Sequence, residues 1–179
     1  MTGQRRAMVA NCRWAVAHSG RFRYEQVRPI PVGLPPPGRS SRDGDEPIIT
    51  DCSGFVTLMA RWSGIDDPNG RGYNGEGWTG TLLEHLPAVG FTQTRPGDIA
   101  VFGTFPGVHC AVLLESGRAG DPWAVSHGVP GDPKRTRLSR LADYFRQDGP
   151  VVYLDLVNDR WARCERARWC ACARCSAGS

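Results

Sequence analysis

Long apolar segments are missing from this sequence. No run approaches the ~18 residues that a membrane-spanning helix requires. A signal-peptide core is missing too, because Asn11 and Arg13 interrupt the short apolar run that follows Arg5 and Arg6. We therefore expect a protein that is made in the cytoplasm, carries no export signal of its own and does not span a membrane.

Excess charge of one sign is also scarce. The formal net charge is +4, and residues 158–179 supply +3 of it through five arginines against Asp159 and Glu165. Residues 1–157 are thus close to neutral and show no electrostatic signature of a nucleic-acid-binding protein. Lysine is nearly absent, since Lys134 is the only one among 22 basic residues, which is typical of GC-rich coding.

The cysteines do not form a recognisable disulfide framework. Their number is odd, seven, and Cys12, Cys52 and Cys110 are widely separated. The other four lie between residues 164 and 175 with the spacing C-x5-C-x-C-x2-C, which lacks the paired CxxC motifs of a zinc ribbon. Two interpretations of the tail at 158–179 stay open: a zinc site, or an extension or linker without metal, which we expect.

Local sequence patterns place helices mainly in the first part of the chain and strands in the second. Apolar periodicity and end signals predict helices over 4–18, 52–62, 81–86 and 138–145. Apolar runs bounded by turns predict strands over 99–102, 108–114, 123–127 and 151–156. Pro-rich, glycine-rich and turn-rich composition predicts loops over 31–46, 65–80 and 129–137. This order predicts an α+β domain over 1–157 with an antiparallel meander.

A cysteine stands where a polar loop changes into an apolar helix. Asp51 is a good N-cap, and the positive end of the helix dipole favours the thiolate form of Cys52. Gly54 lets another group approach the first turn closely. The alternative is that Cys52 simply fills the core as a small apolar residue, and this stretch alone leaves both open.

Two histidines could complete a catalytic set with this cysteine. His109 lies on a strand expected to be buried on both faces, and it could take the thiol proton as a general base. His127, at the end of the next strand, could hydrogen-bond the far nitrogen of His109 and fix its tautomer. In the glycine-rich loop, Tyr73 and Trp78 either line a cleft or pack down locally on the surface.

Three stretches, 51–56, 95–102 and 108–112, resemble the signature blocks of the NlpC-type cysteine peptidases, the papain-like cell-wall hydrolases. The resemblance covers roughly residues 5–157. Residues 22–31 and 73–80 are most similar to peptidase domains of endolysins from phages of actinobacteria.

The resemblance implies a papain-like α+β fold, with the nucleophile at a helix N-terminus packed on an antiparallel sheet. It implies hydrolysis of an amide bond in peptidoglycan stem peptides, often the bond between D-glutamate and a diamino acid, without metal or cofactor. Cys52 would be the nucleophile, His109 the base and His127 the third member of the triad. The expected oxyanion and substrate-binding residues are Tyr24, Asp51, Ser53, Tyr73 and Trp78.

The partner expected from this resemblance is the peptidoglycan stem peptide. We expect a monomeric enzyme that is made in the cytoplasm of a phage host and acts at the cell wall after its release. Neither nucleic acid nor a membrane is expected as a partner. Because a shared fold does not fix the substrate, two alternatives stay open. One is an acyl or amide transferase on the same scaffold. The other is a module without catalysis that binds the wall, or that binds metal or nucleic acid through its tail.

Overall fold

The computed structural model describes residues 1–36, 47–128 and 133–157, and every structural statement below concerns these residues. Part of the Pro-rich loop, at 37–46, lies outside them. The tail at 158–179, with its cysteine cluster and its possible zinc site, lies outside them as well.

The described residues form four α-helices and eight β-strands, with short turns between them. The helices are α1 (Gly3–Ala17), α2 (Cys52–Trp62), α3 (Thr79–His85) and α4 (Leu138–Tyr144). The strands are β1 (Phe22–Tyr24), β2 (Ile48–Thr50), β3 (Ala88–Val89), β4 (Ile99–Phe102), β5 (His109–Leu113), β6 (Trp123–Ser126), β7 (Lys134–Arg137) and β8 (Val151–Leu154). In this part of the chain, no helix has the length and apolar content to cross a bilayer.

Six of the strands form one antiparallel sheet in the order β3-β8-β4-β5-β6-β7. Strands β4 to β7 run as a meander, and β8 then returns to pair with the free edge of β4. Strands β1 and β2 form a separate parallel pair. The α+β class predicted from the sequence is therefore confirmed, although the last strand inserts beside β4 instead of extending the meander.

The turn-rich assignment of 129–137 is wrong for its second half, because Lys134–Arg137 is strand β7. It pairs with β6 from Trp123↔Arg137 to Ser126↔Lys134. The segment lies at the edge of the sheet, where three of its four side chains are charged and no apolar alternation is present. The segment becomes a strand because it pairs with β6, and its own sequence does not indicate this pairing.

The sheet separates two apolar layers, and this explains the uninterrupted apolar character of β4 and β5. Successive side chains on a strand point to opposite faces. Cys110 and Val112 therefore join the layer that includes α1 and α2, whereas Ala111 and Leu113 join the layer that includes α4. All five residues of β5 are buried, as the sequence predicts.

Helix α2 begins where the sequence predicts, at Cys52, and its first turn is fixed by a carboxylate. The Oδ1 atom of Asp51 accepts a hydrogen bond from the backbone N–H of Gly54 at 2.6 Å. A Cβ atom on Gly54 would lie 3.0 Å from that oxygen and 3.3 Å from the Cβ of Thr50. Glycine is thus required at position 54 because the Asp51 carboxylate that caps the helix approaches it closely.

A buried ion-pair cluster ties α1 to the sheet. Arg5 is 1% exposed, and its guanidinium binds Asp98 Oδ1 at 2.6 Å and also binds Asp155. It also donates to the carbonyl oxygen of Pro96, 3.2 Å away, in the turn before β4. Burial raises the pKa of the Asp98 carboxyl, and the positive charge of Arg5 opposes that rise. Arg5 thus compensates two carboxyl groups that have lost their water.

Replacing Arg5 tests this cluster. We expect Arg5→Ala to lower the free energy of unfolding by about 3–5 kcal/mol, because it leaves buried carboxylates without their counter-charge. Urea denaturation followed by circular dichroism measures the change. Arg6→Ala is the matched control, since Arg6 is exposed, and it should change stability by less than about 0.5 kcal/mol. Equal effects of the two substitutions would contradict the assignment.

Candidate active site

A cleft of about 620 Å³ opens at the N-terminus of α2. Its walls come from the segment after β1, the start of α2, the glycine-rich loop and the turn before β5. The residues that line it include Arg28, Cys52, Ser53, Glu76, Trp78 and Val108. The predicted nucleophile therefore belongs to the edge of the core and also lines a cavity large enough for part of a peptide.

The Cys52 sulfur lies against two consecutive residues of β5. Hydrogen bonds from the Cys110 thiol and from His109 hold the pKa of Cys52 well below its ordinary value, while burial and the charge of Asp51 act in the opposite direction. The start of α2 contributes the positive end of a helix dipole. Cys52 is 7% exposed, so the sulfur is sheltered but borders the cleft. This environment favours a thiolate nucleophile.

The His109 ring is held by a hydrogen bond at its edge and by an aromatic ring on one face. Its Nε2 atom lies 2.8 Å from the Oγ atom of Ser126, and its ring stacks on Phe145 with centroids 4.8 Å apart and an interplanar angle of 17°. A Cβ atom on Gly128 would lie 2.8 Å from the Cε1 atom of His109, so only glycine leaves room for the ring there. With Nε2 engaged by Ser126, Nδ1 is the nitrogen left for the Cys52 sulfur.

The structure does not confirm the role predicted for His127. Its Nε2 atom donates to the carbonyl oxygen of Thr50 at 2.9 Å, and its fully buried ring packs against aromatic side chains. The register pairs Ala111 with Ser126, which places His109 and Ser126 on the same face of the sheet as diagonal neighbours. His127 follows Ser126 and so faces the other side. Ser126 therefore occupies the place that the sequence analysis gave to His127.

Tyr24 lies beside the nucleophile, as the resemblance implies. The parallel register pairs Tyr24 with Thr50, two residues before Cys52. Burial, and after it the negative charge of Cys52, raise the pKa of the Tyr24 hydroxyl. Tyr24 thus keeps its proton next to the thiolate and can donate a hydrogen bond into the site.

Arg28 is a cleft residue that the sequence analysis did not single out. Its Nη1 atom lies 3.0 Å from Asp51 Oδ2, and its Nη2 atom donates to Ser53 Oγ at 3.1 Å. Ser53 Oγ in turn donates to Asp51 Oδ1 at 3.0 Å. Asp51 and Ser53, both predicted to bind substrate, are thus joined to each other beneath a guanidinium group. A single arginine before a proline in an irregular segment gives no periodic signal that could have identified it.

The two aromatic residues of the glycine-rich loop have different environments. Trp78 is 42% exposed and lines the cleft, as predicted. Tyr73 is not brought to the cleft, since its hydroxyl donates to the carbonyl oxygen of Ile65 at 2.8 Å and its ring lies under the Arg61 guanidinium. Asp67 organises the loop by accepting hydrogen bonds from three of its backbone N–H groups. The prediction that the aromatic residues line the cleft therefore holds for Trp78, whereas Tyr73 packs locally.

No group of three or more His, Cys, Asp or Glu side chains within residues 1–36, 47–128 and 133–157 is arranged to hold a metal ion. At the cleft, Cys52 supplies a thiol, and His109 and Tyr24 beside it supply an imidazole and a hydroxyl group. These are the groups of nucleophilic acyl transfer.

Comparison with solved structures shows which fold this is. The NlpC/p60 domain of the peptidoglycan hydrolase SagA matches with a TM-score of 0.50 and 19% identity, over 84% of this chain and 97% of that one. An NLP/P60-family protein from Staphylococcus aureus, described as similar to lipoprotein, has a TM-score of 0.49 and 14% identity over 84% of this chain and 42% of its own. No protein-family model matches the sequence, and no curated protein matches it significantly. The chain thus has the papain-like NlpC/p60 fold that the resemblance implies.

Alkylation tests the state of the Cys52 sulfur without any substrate. We expect iodoacetamide to modify Cys52 with a pH midpoint below the ordinary thiol value of about 8.5, because its thiolate is stabilised. Peptide mass spectrometry measures the rate at each cysteine. Cys12 is the internal control, since it is fully buried and burial raises its pKa. Modification of Cys52 only above the ordinary midpoint would contradict the site.

Proposed function

We propose that this protein is a peptidoglycan hydrolase, a cysteine endopeptidase that cleaves an amide bond in cell-wall stem peptides. The observation that carries the proposal is the position of the Cys52 thiol, at the start of α2 and on the wall of an open cleft. His109 lies beside it, and its hydrogen bond helps to lower the pKa of Cys52. The likeness of fold to the NlpC/p60 domain of a named peptidoglycan hydrolase supports the choice of substrate.

The contacts of the site suggest a role for each group. The Cys52 thiolate attacks the carbonyl carbon, and the protonated imidazole of His109 gives its proton to the leaving amine. The amine departs, and an acyl-enzyme thioester remains. His109 then takes a proton from water, whose oxygen attacks the thioester and releases Cys52. Tyr24 donates a hydrogen bond to the oxyanion, and Ser126 holds the imidazole in place throughout.

The finer features of the proposal come from the sequence resemblance. We propose the bond between D-glutamate and a diamino acid as the scissile bond, and a phage-encoded lysin as the kind of protein. Such an enzyme acts as a monomer at the wall after release from the host cytoplasm, with residues 1–157 as its peptidase domain. In the cleft, the exposed Trp78 and Val108 offer apolar contact to the peptide, and Arg28 and Glu76 offer charged contact.

Digestion of purified walls tests the function. We expect the protein to release free amino groups from peptidoglycan, with fragments whose masses identify the broken bond. Cys52→Ala should abolish release, because it removes the proposed nucleophile, whereas removal of 158–179 should leave hydrolysis of soluble fragments in place. Full activity of Cys52→Ala together with its loss on removing the tail would overturn the proposal. An added amine acceptor appearing in the products would point to the transferase alternative.

Two neighbouring substitutions test the third member of the triad. Ser126→Ala should lower kcat about tenfold, because a hydrogen bond to a charged group contributes about 1.5 kcal/mol. His127→Gln keeps a donor for the Thr50 carbonyl and should leave kcat within about threefold, changing mainly thermal stability. Steady-state kinetics on a purified stem peptide measures both. A large loss of kcat in His127→Gln with none in Ser126→Ala would restore His127 as the third member.

A further inference from the structure

Arg28 is a charged residue of the cleft wall for which the proposed mechanism gives no role. Its side chain is 29% exposed. The Ile30 N–H donates to the carbonyl oxygen of Gly75 at 2.9 Å, which ties this segment to the glycine-rich loop. On its other side, the Arg28 guanidinium contacts Asp51 and Ser53, the residues directly before and after the nucleophile. A positive charge is thus held beside the nucleophile, on the wall of the cleft.

The contacts among these three side chains decide which of them has a donor to offer a substrate. Asp51 Oδ1 accepts from the Gly54 N–H at 2.6 Å and from the Ser53 hydroxyl at 3.0 Å, and Asp51 Oδ2 pairs with Arg28 Nη1 at 3.0 Å. The hydroxyl of Ser53 has one proton, which goes to Asp51. An ionised carboxylate only accepts. Arg28 is therefore the member of this cluster that can donate to a group in the cleft.

The Arg28 guanidinium keeps donors that the protein does not use. Such a group has five N–H donors, two on each Nη atom and one on Nε. Nη1 pairs with Asp51 and donates to the Val27 carbonyl oxygen at 2.6 Å, and Nη2 donates to Ser53 Oγ at 3.1 Å. Within residues 1–36, 47–128 and 133–157, one N–H of Nη2 and the N–H of Nε have no acceptor. Two N–H groups of one arginine suit a carboxylate.

An anion that enters the cleft meets charges of both signs. The Cys52 thiolate and Glu76 repel it. The charge of Asp51 is already paired with Arg28, and the protonated His109 is engaged with the sulfur and the leaving group. The unused edge of Arg28 is thus the group on this wall that favours a carboxylate close to the reacting bond.

We propose that Arg28 is a specificity-determining residue: its unused N–H groups bind a free carboxylate of the substrate next to the scissile amide. A glutamyl residue joined through one of its carboxyl groups keeps the other one free, so a stem peptide cut after D-glutamate carries such a carboxylate. This role rests on the proposed function, since it assigns a substrate class to the same site. The competing role is that of a counter-ion, in which Arg28 only neutralises Asp51 and contacts no substrate.

Two peptides that differ in one group test this role in the full chain. One carries D-glutamate with its free carboxylate next to the scissile bond, and the other has a carboxamide in its place. We expect the wild type to cleave the first with a kcat/KM about tenfold higher, the effect of one hydrogen bond between charged groups. Arg28→Gln should lose this preference. Arg23→Gln is the matched control and should keep it, because Arg23 is an exposed arginine paired with Glu25 outside the cleft. Equal kcat/KM for the two peptides in the wild type, or an unchanged preference in Arg28→Gln, would overturn the proposal.

A double variant separates substrate binding from the counter-ion role, because removing Arg28 alone also leaves the charge of Asp51 unpaired. Arg28→Gln/Asp51→Asn removes both charges, and asparagine is still a good cap for α2. If Arg28 binds the substrate carboxylate, the preference stays lost in the double variant. A preference that returns to the wild-type value would show a counter-ion only and overturn the proposal. Circular dichroism checks that each variant is folded.

Alkylation of Cys52 tests the carboxylate site without any hydrolysis. Iodoacetate and iodoacetamide are nearly equal in size and both lose iodide to the attacking sulfur, but only iodoacetate carries a carboxylate. The ratio of their rates cancels the thiolate fraction. We expect this ratio to fall about threefold in Arg28→Gln and in the double variant, the effect of a partly exposed ion pair, and to stay unchanged in Arg23→Gln.

The two readouts keep the outcome for Arg28 separable from that of the proposed function. A rate ratio that follows Arg28, in a protein that releases nothing from walls, would sustain Arg28 as a carboxylate-binding residue and overturn the proposed function. Wall hydrolysis with a peptide preference and a rate ratio that do not depend on Arg28 would do the reverse.

Discussion

The hydrogen bond from the Gly54 N–H to Asp51 Oδ1 is the contact on which the geometry of the site depends. It sets the residue at which α2 begins, and so it places the Cys52 sulfur at the positive end of the helix dipole. The same carboxylate accepts from Ser53 and pairs with Arg28. Asp51 therefore caps the helix that carries the nucleophile and also lines the cleft. The negative charge of Asp51 works against the thiolate, so this arrangement needs compensating donors elsewhere.

The sheet supplies those donors. Strand β5 brings His109 and Cys110, two consecutive residues, into contact with a single sulfur. Because both residues pair with β4 and are buried, neither can shift without disturbing the sheet. The reactivity of Cys52 is thus set by the packing of a helix start on a central strand, and the open side of the cleft is left to loops. Rigid elements hold the chemistry and loops shape the space beside it.

Sequence reasoning succeeded where the signal is local. Asp51 and the apolar period behind it give the start of α2, and the turn before β4 gives the following strands. It failed where the answer depends on pairing between distant segments. Whether Ser126 or His127 faces His109 depends on the register between β5 and β6. A shift of that register by one residue turns every side chain to the opposite face of the sheet. Strand β7 can be recognised as a strand only from its pairing with β6. Arg28 can be recognised as a site residue only from its ion pair with Asp51, which lies far along the chain.

The contacts of Ser126 and His127 also explain why two polar residues stand together at the end of β6. Ser126 contacts the base, His109, on one face of the sheet. His127 holds the Thr50 carbonyl on the other, in the segment that leads into the nucleophile. Since a strand sends consecutive side chains to opposite faces, one short segment can position both halves of the site at once. The relative placement of Cys52 and His109 therefore rests on a single strand end, and Gly128 next to it keeps the space that the imidazole ring requires.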